Sequence, residues 1–500
     1  MIGDYYRLLR AGTALARHDV ILPQEYHTRL PTPAKIIGKV LRAFGGGAKG
    51  RPGERLATAL EKLGPAYIKL GQFLATRPDV FGVETTTDLG RLKDKVPAFG
   101  MDKARATLAE EFGEDADTLF EKLSDPVAAA SLAQVHRMET SEGSKAVKIL
   151  RPGVEHLIER ELSAMARASG TIERVSAESK RLEPVAFTET VAESMRKELD
   201  LRLEAGGLDE MRHISEDDGF YVIPTVDWER SSKRVLTMSW LEGKPLTDPA
   251  ALEGTSVNRS ELANKITRGF LSHAIKHGVF HADMHEGNMI LTPEGKLALV
   301  DFGLIGRIGL NERRFLAEIL WGFIRRDYQR VAEVHFEAGY IPANQSVGDF
   351  AQALRSVGEP IHGKDASDVS MGRLLLQLLD FTHTFGMHLR PELVLLQKTM
   401  VQVEGVARAI DPNHDIWKAA EPIVKEWVTQ NLGPAGAAKL VSQNLREVTD
   451  RLKRLPDVMD RFEASLDAQP SEPAAKQFAP WWGWFGLILG LGTLAVFGLN

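Results

Sequence analysis

The sequence predicts an α+β protein with two lobes, a small lobe that carries a β-sheet and a helical lobe after it. A helical extension precedes them and one membrane-spanning helix follows. Three patterns lead to this prediction: strand-like segments between residues 126 and 241, apolar residues at helical spacing on both sides of them, and a charge-free apolar segment near the C-terminus. Five hundred residues are too many for one hydrophobic core, so we expect at least two domains.

The predicted elements divide the chain into six segments. They are residues 1–54 (N-terminal helical segment and linker), 55–125 (helical extension), 126–241 (small lobe), 242–467 (helical lobe), 468–480 (linker) and 481–499 (transmembrane helix). The predicted strands of the small lobe are Leu132–Arg137, Ala146–Leu150, Val222–Val226 and Arg234–Trp240, and residues 154–214 and 258–279 are predicted to be helical. The N-terminal helix, with Tyr5, Tyr6, Leu8 and Leu9, fits a membrane surface or the protein itself, of which the second is commoner.

The composition argues against several classes of function. A net charge of -6 gives no global reason to expect nucleic acid as a partner. The chain contains no cysteine, which excludes disulfides, thiolate metal sites and cysteine nucleophiles, and fits a protein that faces the cytosol.

Two short motifs in the helical lobe carry the strongest chemical signal, FHADMHEGN at residues 280–288 and LVDFG at residues 299–303. Asp283 and Asn288 are five positions apart, so one loop can aim a carboxylate at a hydroxyl group or water while an amide oxygen reaches a metal ion. The residues between Asn288 and Asp301 leave room for a β-hairpin that returns a second carboxylate to the metal. The predicted strands of this hairpin are Met289–Leu291 and Leu297–Val300.

The order and spacing of these motifs resemble the H-x-D-x-x-x-x-N and D-F-G loops of the protein-kinase-like superfamily. The resemblance implies a protein-kinase-like two-lobed fold that binds ATP or ADP together with Mg²⁺. Asn288 and Asp301 then hold Mg²⁺, and Asp283 orients the nucleophile. Lys148, on a strand with apolar neighbours, then holds the nucleotide phosphates and needs a carboxylate partner.

The partner of Lys148 is predicted to come from the helical segment that contains Glu198, Asp200 and Glu204. Asp200 and Glu204 share one face of the predicted helix, and Glu198 points about 120° away from Glu204. The sequence leaves open which of the three pairs with Lys148, and a solvated acidic surface is the alternative interpretation.

Alanines occupy the loop that would cover the nucleotide phosphates. The segment 126–136 occupies the place where a protein kinase carries glycines. Three alanines, Ala128, Ala129 and Ala130, replace them, and Ser131 and Val135 belong to the same segment. Each Cβ restricts the backbone and limits its approach to phosphate oxygens. We therefore expect a stiffer cover, which argues against fast, generic protein phosphorylation.

A further set of motifs resembles the UbiB family, also called the ABC1 or aarF-domain atypical kinases. Lys69-Leu70-Gly71-Gln72 is similar to the family's K-x-G-Q signature, Ala128–Ser131 to its alanine-rich loop, Glu198–Asp200 to its E-x-D pair and His281–Asn288 to its H-A-D-x-H-x-G-N loop. The likeness runs from about residue 60 to 415.

The family resemblance implies that the helices bearing Lys69 and Gln72 fold over the nucleotide cleft, with Glu198 and Asp200 as candidate partners of Lys69. Lys69 is thereby a candidate catalytic residue beside Lys148 and Asp283. The resemblance also implies a role in ubiquinone (coenzyme Q) biosynthesis at the inner membrane, with quinone-biosynthesis enzymes or quinone precursors as partners.

The segment Trp481–Leu499 is predicted to span a membrane. Its nineteen residues carry no charge, begin with tryptophans suited to a headgroup interface, and reach about 28 Å as a helix, close to a hydrocarbon core of roughly 30 Å. Gly486 and Gly490 would give a smooth face through which two copies could dimerise. Basic residues before the segment predict that the main body faces the cytoplasm.

The residues favour a magnesium-dependent ATPase or atypical kinase whose acceptor is water or unknown. A protein kinase that regulates a quinone-biosynthetic enzyme is an alternative, against which the alanine loop and the missing A-P-E segment count. A nucleotide-binding pseudokinase scaffold is another, although all the metal and phosphate ligands are intact. A small-molecule phosphotransferase of the aminoglycoside or choline type would share the two loops but would not need the Lys69–Gln72 helix or the membrane segment.

Overall fold

The computed structural model describes residues 2–20, 50–75, 82–90, 92, 97–175, 183–361, 384–387 and 391–432. These residues fall into two units. The first contains the described residues up to 209 together with residues 224–240, and the second contains residues 210–223 and those from 241 to 432.

Nine helices are described in the first unit. Six precede its sheet: α1 (Ile2–Arg17), α2 (Pro52–Leu63), α3 (Pro65–Leu74), α4 (Val83–Leu89), α5 (Met101–Phe112) and α6 (Ala116–Leu119). Three follow its third strand: α7 (Val154–Val175), α8 (Pro184–Glu198) and α9 (Leu201–Asp218), the last of which continues into the second unit.

Helix α1 packs against α7 of the same unit. The Arg10 guanidinium lies 3.1 Å from the buried Glu161 carboxylate, and Asp4 lies 2.6 Å from Arg167. Ala11 and Ala16 of α1 are buried. The helix thus packs on the protein through its small residues and ion pairs. Tyr5, Tyr6 and Leu9, three of the four residues on which the prediction rested, are exposed, so these contacts do not test the alternative that this face meets a membrane.

Four antiparallel strands form the sheet of the first unit. They are β1 (Leu123–Ala129), β2 (Ala133–Thr140), β3 (Gly143–Leu150) and β4 (Val235–Ser239), in that order across the sheet. Val147, Ile149 and Val235 point into a core that also contains Phe120 and Met138. β-Branched and aromatic residues of this kind suit a half-buried pleated surface, which is why β2, β3 and β4 could be predicted to within a few residues, whereas β1 was not predicted as a strand.

The predicted strand Val222–Val226 is wrong. Val222 makes an isolated bridge to Ala298 in the second unit, and Val226 makes one to Met238 in the first. Pro224 lies between them and has no N–H to donate to a ladder, so the segment cannot pair continuously.

The second unit holds two small sheets and a set of helices. Strands β5 (Lys244–Pro245), β7 (Met289–Leu291) and β8 (Leu297–Leu299) form one sheet, and β6 (Val279–His281) and β9 (Ile305–Arg307) form the other. The helices are α10 (Arg259–Leu271), α11 (Leu310–Arg325), α12 (Tyr328–Glu337), α13 (Val347–Gly358), α14 (Pro391–Ile410) and α15 (Ile416–Leu432).

The helix before the loop His281–Asn288, the candidate catalytic loop, differs from its prediction at its end. Helix α10 stops at Leu271 and continues as a π-helical turn, Ser272–His277. Gly278 then takes a φ of 75°, a left-handed conformation that suits glycine, and the chain enters β6. The predicted helix 258–279 is therefore shorter, and its last residues already belong to the strand that leads to Asp283.

No helix in the described part of the chain is long and apolar enough to cross a membrane. The predicted membrane segment 481–499, with Gly486 and Gly490, lies outside the described residues, as does most of the predicted N-terminal linker.

Candidate active site

The alanine-rich segment forms a β-hairpin of the first unit. Ala128 and Ala129 are the last residues of β1 and lie opposite Val135 and Gln134 of β2. The predicted loop is therefore largely strand, because the ladder extends up to the alanines. The candidate nucleotide-binding residues of this segment share one hairpin.

Arg151 holds the turn of this hairpin. The Ala130 N–H donates to the Ala133 carbonyl at 2.8 Å, and Ser131 between them is buried. Nε and Nη2 of Arg151 both donate to the Ala130 carbonyl, at 3.0 and 2.8 Å, and the guanidinium lies 5.6 Å from the centre of the Phe99 ring. A side chain outside the hairpin thus adds to the stiffness expected from the alanines alone.

We expect Arg151→Met to destabilise the first unit by about 1–2 kcal/mol, because two hydrogen bonds from a charged donor and the stacking on Phe99 are lost. Hydrogen exchange of the amides at 130–133, measured together with thermal unfolding, checks this. Arg202→Met, which changes an exposed arginine of the same unit, should have a smaller effect on both. Equal exchange at 130–133 in Arg151→Met and the wild type would contradict a role for the arginine.

Lys148 of β3 pairs with Glu204 of α9. Its Nζ donates to both carboxylate oxygens, at 2.7 and 2.9 Å. The side chains are 15% and 8% exposed, so the two charges neutralise each other in a largely dry environment. Of the three carboxylates left open by the sequence, Glu204 is the partner of Lys148.

The predicted single helix around these carboxylates is in fact two helices. Helix α8 ends at Glu198 and α9 begins at Leu201, so the expected 120° relation between Glu198 and Glu204 is wrong. Asp200 lies in the break, where its carboxylate accepts hydrogen bonds from the backbone and side chain of Arg202. Asp200 thus closes the start of α9 and contacts neither lysine in the contacts described.

Lys69 of α3 lies 2.8 Å from Glu198, and both side chains are mostly buried. Because of the break between α8 and α9, Glu198 pairs with Lys69 and Glu204 pairs with Lys148. Gln72 lies half-buried on the same helix as Lys69. Gly71 lies between them, and a Cβ at this position would overlap the side chains of Leu60 and Leu92, so the glycine lets α3 pack closely.

His281 of the second unit links the catalytic loop to the segment before Asp301. Its Nδ1 accepts the N–H of Asp283 at 3.1 Å, so the proton is on Nε2, which donates to the Val300 carbonyl at 3.3 Å. The ring also packs on Phe302, with centroids 5.2 Å apart. Burial lowers the pKa of His281, which agrees with a neutral ring in this fixed tautomer.

Asn288 is held on two sides. Its Nδ2 donates to the Asp283 carbonyl at 3.1 Å, and its own carbonyl accepts the N–H of Val300 at 3.0 Å. The amide orientation leaves Oδ1 as the atom with which Asn288 would bind a metal ion. The predicted hairpin between Asn288 and Asp301 is confirmed as β7 and β8.

Asp301 has an unusual backbone. Its φ is 61°, in the left-handed region that few residues other than glycine adopt, and its Oδ1 accepts the N–H of Gly303 at 3.3 Å. Asp301 is exposed. A carboxylate and an amide oxygen are hard ligands of the kind that Mg²⁺ prefers, and proteins often bind Mg²⁺ through one or two such groups together with substrate phosphates. Asp301 and Asn288 therefore fit this metal.

The carboxylate of Asp283 is surrounded by donors that the sequence did not predict. Oδ1 lies 3.3 Å from Lys398 Nζ and accepts a hydrogen bond from Gln402 Nε2 at 3.0 Å. Oδ2 lies 3.6 Å from Nε2 of His285. Burial works to raise the pKa of Asp283, but the charge of Lys398 and the bond from Gln402 outweigh it, so this pKa lies below its usual value.

Both new residues come from α14, where a sequence signal does exist. The helix is otherwise largely apolar, and Lys398, Thr399 and Gln402 form a polar stripe at i, i+1 and i+4. Such a stripe on an apolar helix indicates a polar contact, but it does not say with what.

The comparisons with known proteins agree with this geometry. The ABC1 atypical kinase-like domain matches residues 91–335, and the UbiB helical domain matches residues 354–415. A protein of Marinobacter nauticus named "Probable protein kinase UbiB" is 36% identical over 481 residues, which cover 94% of this chain and 87% of that protein. The chain belongs to the UbiB family. The predicted family resemblance is thereby confirmed.

Two further comparisons support the family and the fold. The UbiB relative of Pseudomonas putida, also named a probable protein kinase, is 33% identical over 88% of this chain and 83% of its own length. A chain in the solved complex of Rv3197 with erythromycin from Mycobacterium tuberculosis covers 81% of this chain and 100% of its own, with a TM-score of 0.52 and 23% identity. The latter likeness concerns the fold alone and supports a kinase-like, α+β architecture.

Proposed function

We propose that this UbiB-family protein is a membrane-anchored, magnesium-dependent, ATP-binding atypical kinase or ATPase that supports ubiquinone biosynthesis. The observation that carries the proposal is the Lys148–Glu204 ion pair. In the kinase-like superfamily a lysine of the third strand must be paired with a helix glutamate before it can hold the nucleotide phosphates. With Nζ between two carboxylate oxygens, Lys148 has this arrangement.

The residues of the second unit supply the remaining roles. Asn288 and Asp301 would hold Mg²⁺ through Oδ1 and a carboxylate oxygen, and the bound ion would neutralise charge on the phosphate groups. His281 keeps the backbone of Asp283 and Val300 in a fixed relation. Asp283 would orient the acceptor, water or a hydroxyl group. A carboxylate with a lowered pKa is a weak base, which suits a phosphoryl transfer that depends on alignment and charge neutralisation more than on proton abstraction.

The decisive measurement is calorimetric titration of the full chain, in detergent or lipid, with ATP in the presence and absence of Mg²⁺. We expect the wild type to bind ATP in a Mg²⁺-dependent manner. Asp301→Asn should lose this binding, because the amide introduced at position 301 carries no negative charge to neutralise the metal ion. Arg202→Met serves as the control. No Mg²⁺-dependent uptake by the wild type would refute nucleotide binding, whereas uptake without hydrolysis under any lipid condition would favour the pseudokinase scaffold.

The biosynthetic and membrane parts of the proposal are tested together in a bacterial strain that lacks its own UbiB-family protein. The strain is complemented with the wild type, Lys69→Ala or Asp301→Asn, and its ubiquinone content and growth are measured. We expect the two variants to fail where the wild type succeeds, and the protein to remain in the inner-membrane fraction only when residues 481–499 are present. Normal ubiquinone without complementation would refute the biosynthetic role.

A protein kinase acting on a quinone-biosynthetic enzyme is the second candidate, favoured by the name that the bacterial relatives carry. Transfer of labelled phosphate to a purified partner enzyme, abolished by Asp283→Asn, would establish it. The hairpin fixed by Arg151 and the alanines argues against it, because a stiff cover adapts poorly to a protein substrate.

A further inference from the structure

Helix α14, which lies in the region matched by the UbiB helical domain, makes three contacts with the catalytic loop of the same unit. Lys398 and Gln402 contact the carboxylate of Asp283, and the hydroxyl of Thr399 is shared between the Leu395 carbonyl of its own helix at 2.9 Å and the Ala282 carbonyl at 3.1 Å. The three side chains lie on one stripe of the helix, so one element contacts both the backbone and a carboxylate of this loop.

The contacts at Asp283 are unequal for its two oxygens. Oδ1 receives both the Lys398 ammonium and the Gln402 amide, whereas Oδ2 faces only the more distant ring of His285 among the described contacts. Two donors on one oxygen restrict rotation of the carboxylate. The oxygen that remains available to an acceptor hydroxyl or water is therefore Oδ2.

Gln402 shows a second sign of a role beyond packing. Its Oε1 is buried and accepts no hydrogen bond from any residue that the structure describes. A buried acceptor left without a partner usually costs about 1–3 kcal/mol and calls for an explanation. The hydrogen bond from Nε2 to Asp283 explains the unpaired oxygen, since the amide orientation that makes this bond leaves Oε1 without a donor among the described residues.

We propose that Lys398 and Gln402 are positioning residues that fix the Asp283 carboxylate for phosphoryl transfer, so that the helical domain of this family completes the kinase-like catalytic loop. The inference rests on the proposed function. Neither residue needs to touch the nucleotide, because both act through Asp283. A small displacement of a reacting or orienting group lowers catalytic rates strongly, by about 100-fold for 1 Å.

The test compares Lys398→Met and Gln402→Leu with the wild type in steady-state ATP hydrolysis and in Mg²⁺–ATP binding. We expect kcat to fall about 10–100-fold while the Kd for Mg²⁺–ATP changes less than about twofold, because only the alignment of the transition state is lost. Lys398→Arg, which keeps the charge, should recover most of kcat. Lys418→Met, at a lysine of α15 that is 82% exposed, is the control and should leave kcat unchanged.

Two further arms keep the inference falsifiable. In an Asp283→Asn background, Lys398→Met should lower kcat no further, since residues that act as one unit are not additive. Without nucleotide, hydrogen exchange of the amides at 281–288 should be faster in Lys398→Met and Gln402→Leu than in the wild type. Unchanged exchange and unchanged kcat in both variants would overturn the inference. Faster exchange in the two variants, together with a wild type that neither binds nor hydrolyses ATP, would refute the proposed function. It would still establish that the two residues anchor the loop.

Discussion

Glu204→Ala is expected to lower the free energy of unfolding of the first unit by about 3–5 kcal/mol, the largest effect of any single change considered. The substitution leaves the Lys148 ammonium largely buried without the carboxylate that contacts it at 2.7 Å. Removing one member of a largely buried pair costs more than the pair itself contributes, because the lysine keeps its desolvation and loses the attraction of this carboxylate. Hydrogen exchange of β2 and β3 as a function of urea concentration measures this free energy for the first unit.

A matched set of variants separates the burial of the pair from its charge. Glu159→Gln removes a carboxylate whose ion pair with Arg196 is 49% and 53% exposed, and should cost at most about 1 kcal/mol. Lys148→Met combined with Glu204→Leu removes both charges and should recover much of the stability lost in Glu204→Ala. A single Glu204→Ala variant as stable as the wild type would mean that the lysine escapes to water and that the pair is not buried in solution.

Acidification is expected to destabilise the second unit by roughly 3 kcal/mol through His335 alone. This histidine is buried in α12, donates from Nδ1 to the Val331 carbonyl at 2.8 Å, and packs against Phe350 with ring centroids 5.3 Å apart. Burial lowers its pKa from 6.5 to about 4. Below pH 6.5 the imidazole of His335 is protonated in the unfolded chain, whereas in the folded chain it stays neutral down to about pH 4. The free energy of unfolding therefore falls as the pH is lowered through this window.

The slope of stability against pH tests this assignment. We expect His335→Leu to flatten the loss of unfolding free energy of the second unit between pH 7 and pH 4.5. Phe336→Leu is the matched control, because it removes packing against the same Phe350 but no titrating group, and should shift stability without changing the slope. The same slope in His335→Leu and the wild type would mean that other groups carry the acid sensitivity.

Other described histidines also have a pKa that burial lowers. They are His136, His277, His281 and His414.

The parts of the site that the sequence predicted well are local. The hairpin after Asn288 follows from two short apolar runs separated by a turn with Gly295, and it is present as β7 and β8. The strand that carries Lys148 follows from the apolar residues on either side of it, Ala146 and Val147 before it and Ile149 and Leu150 after it. In both cases the signal lies within about ten residues, so one pattern fixes both the element and the place of the functional side chain.

The parts that the sequence missed depend on breaks and on distant contacts. No glycine or proline marks the end of α8 at Glu198, and the break there decides that Glu198 serves Lys69 while Glu204 serves Lys148. Lys398 is 115 positions from Asp283 along the chain, and no local periodicity reports a contact at that separation. Tertiary packing, rather than propensity, determines both.

The contacts of α14 with the candidate catalytic loop affect which fragments of this protein are suitable for study. A fragment that stops at residue 335, where the kinase-like match ends, would retain Asp283, Asn288 and Asp301. It would discard Lys398 and Gln402, both described donors to Oδ1 of Asp283, and would uncover the Ala282 carbonyl that Thr399 caps. On the positioning role proposed for α14, weak turnover by such a fragment would reflect the missing helix, and recombinant versions should extend at least through Ile410.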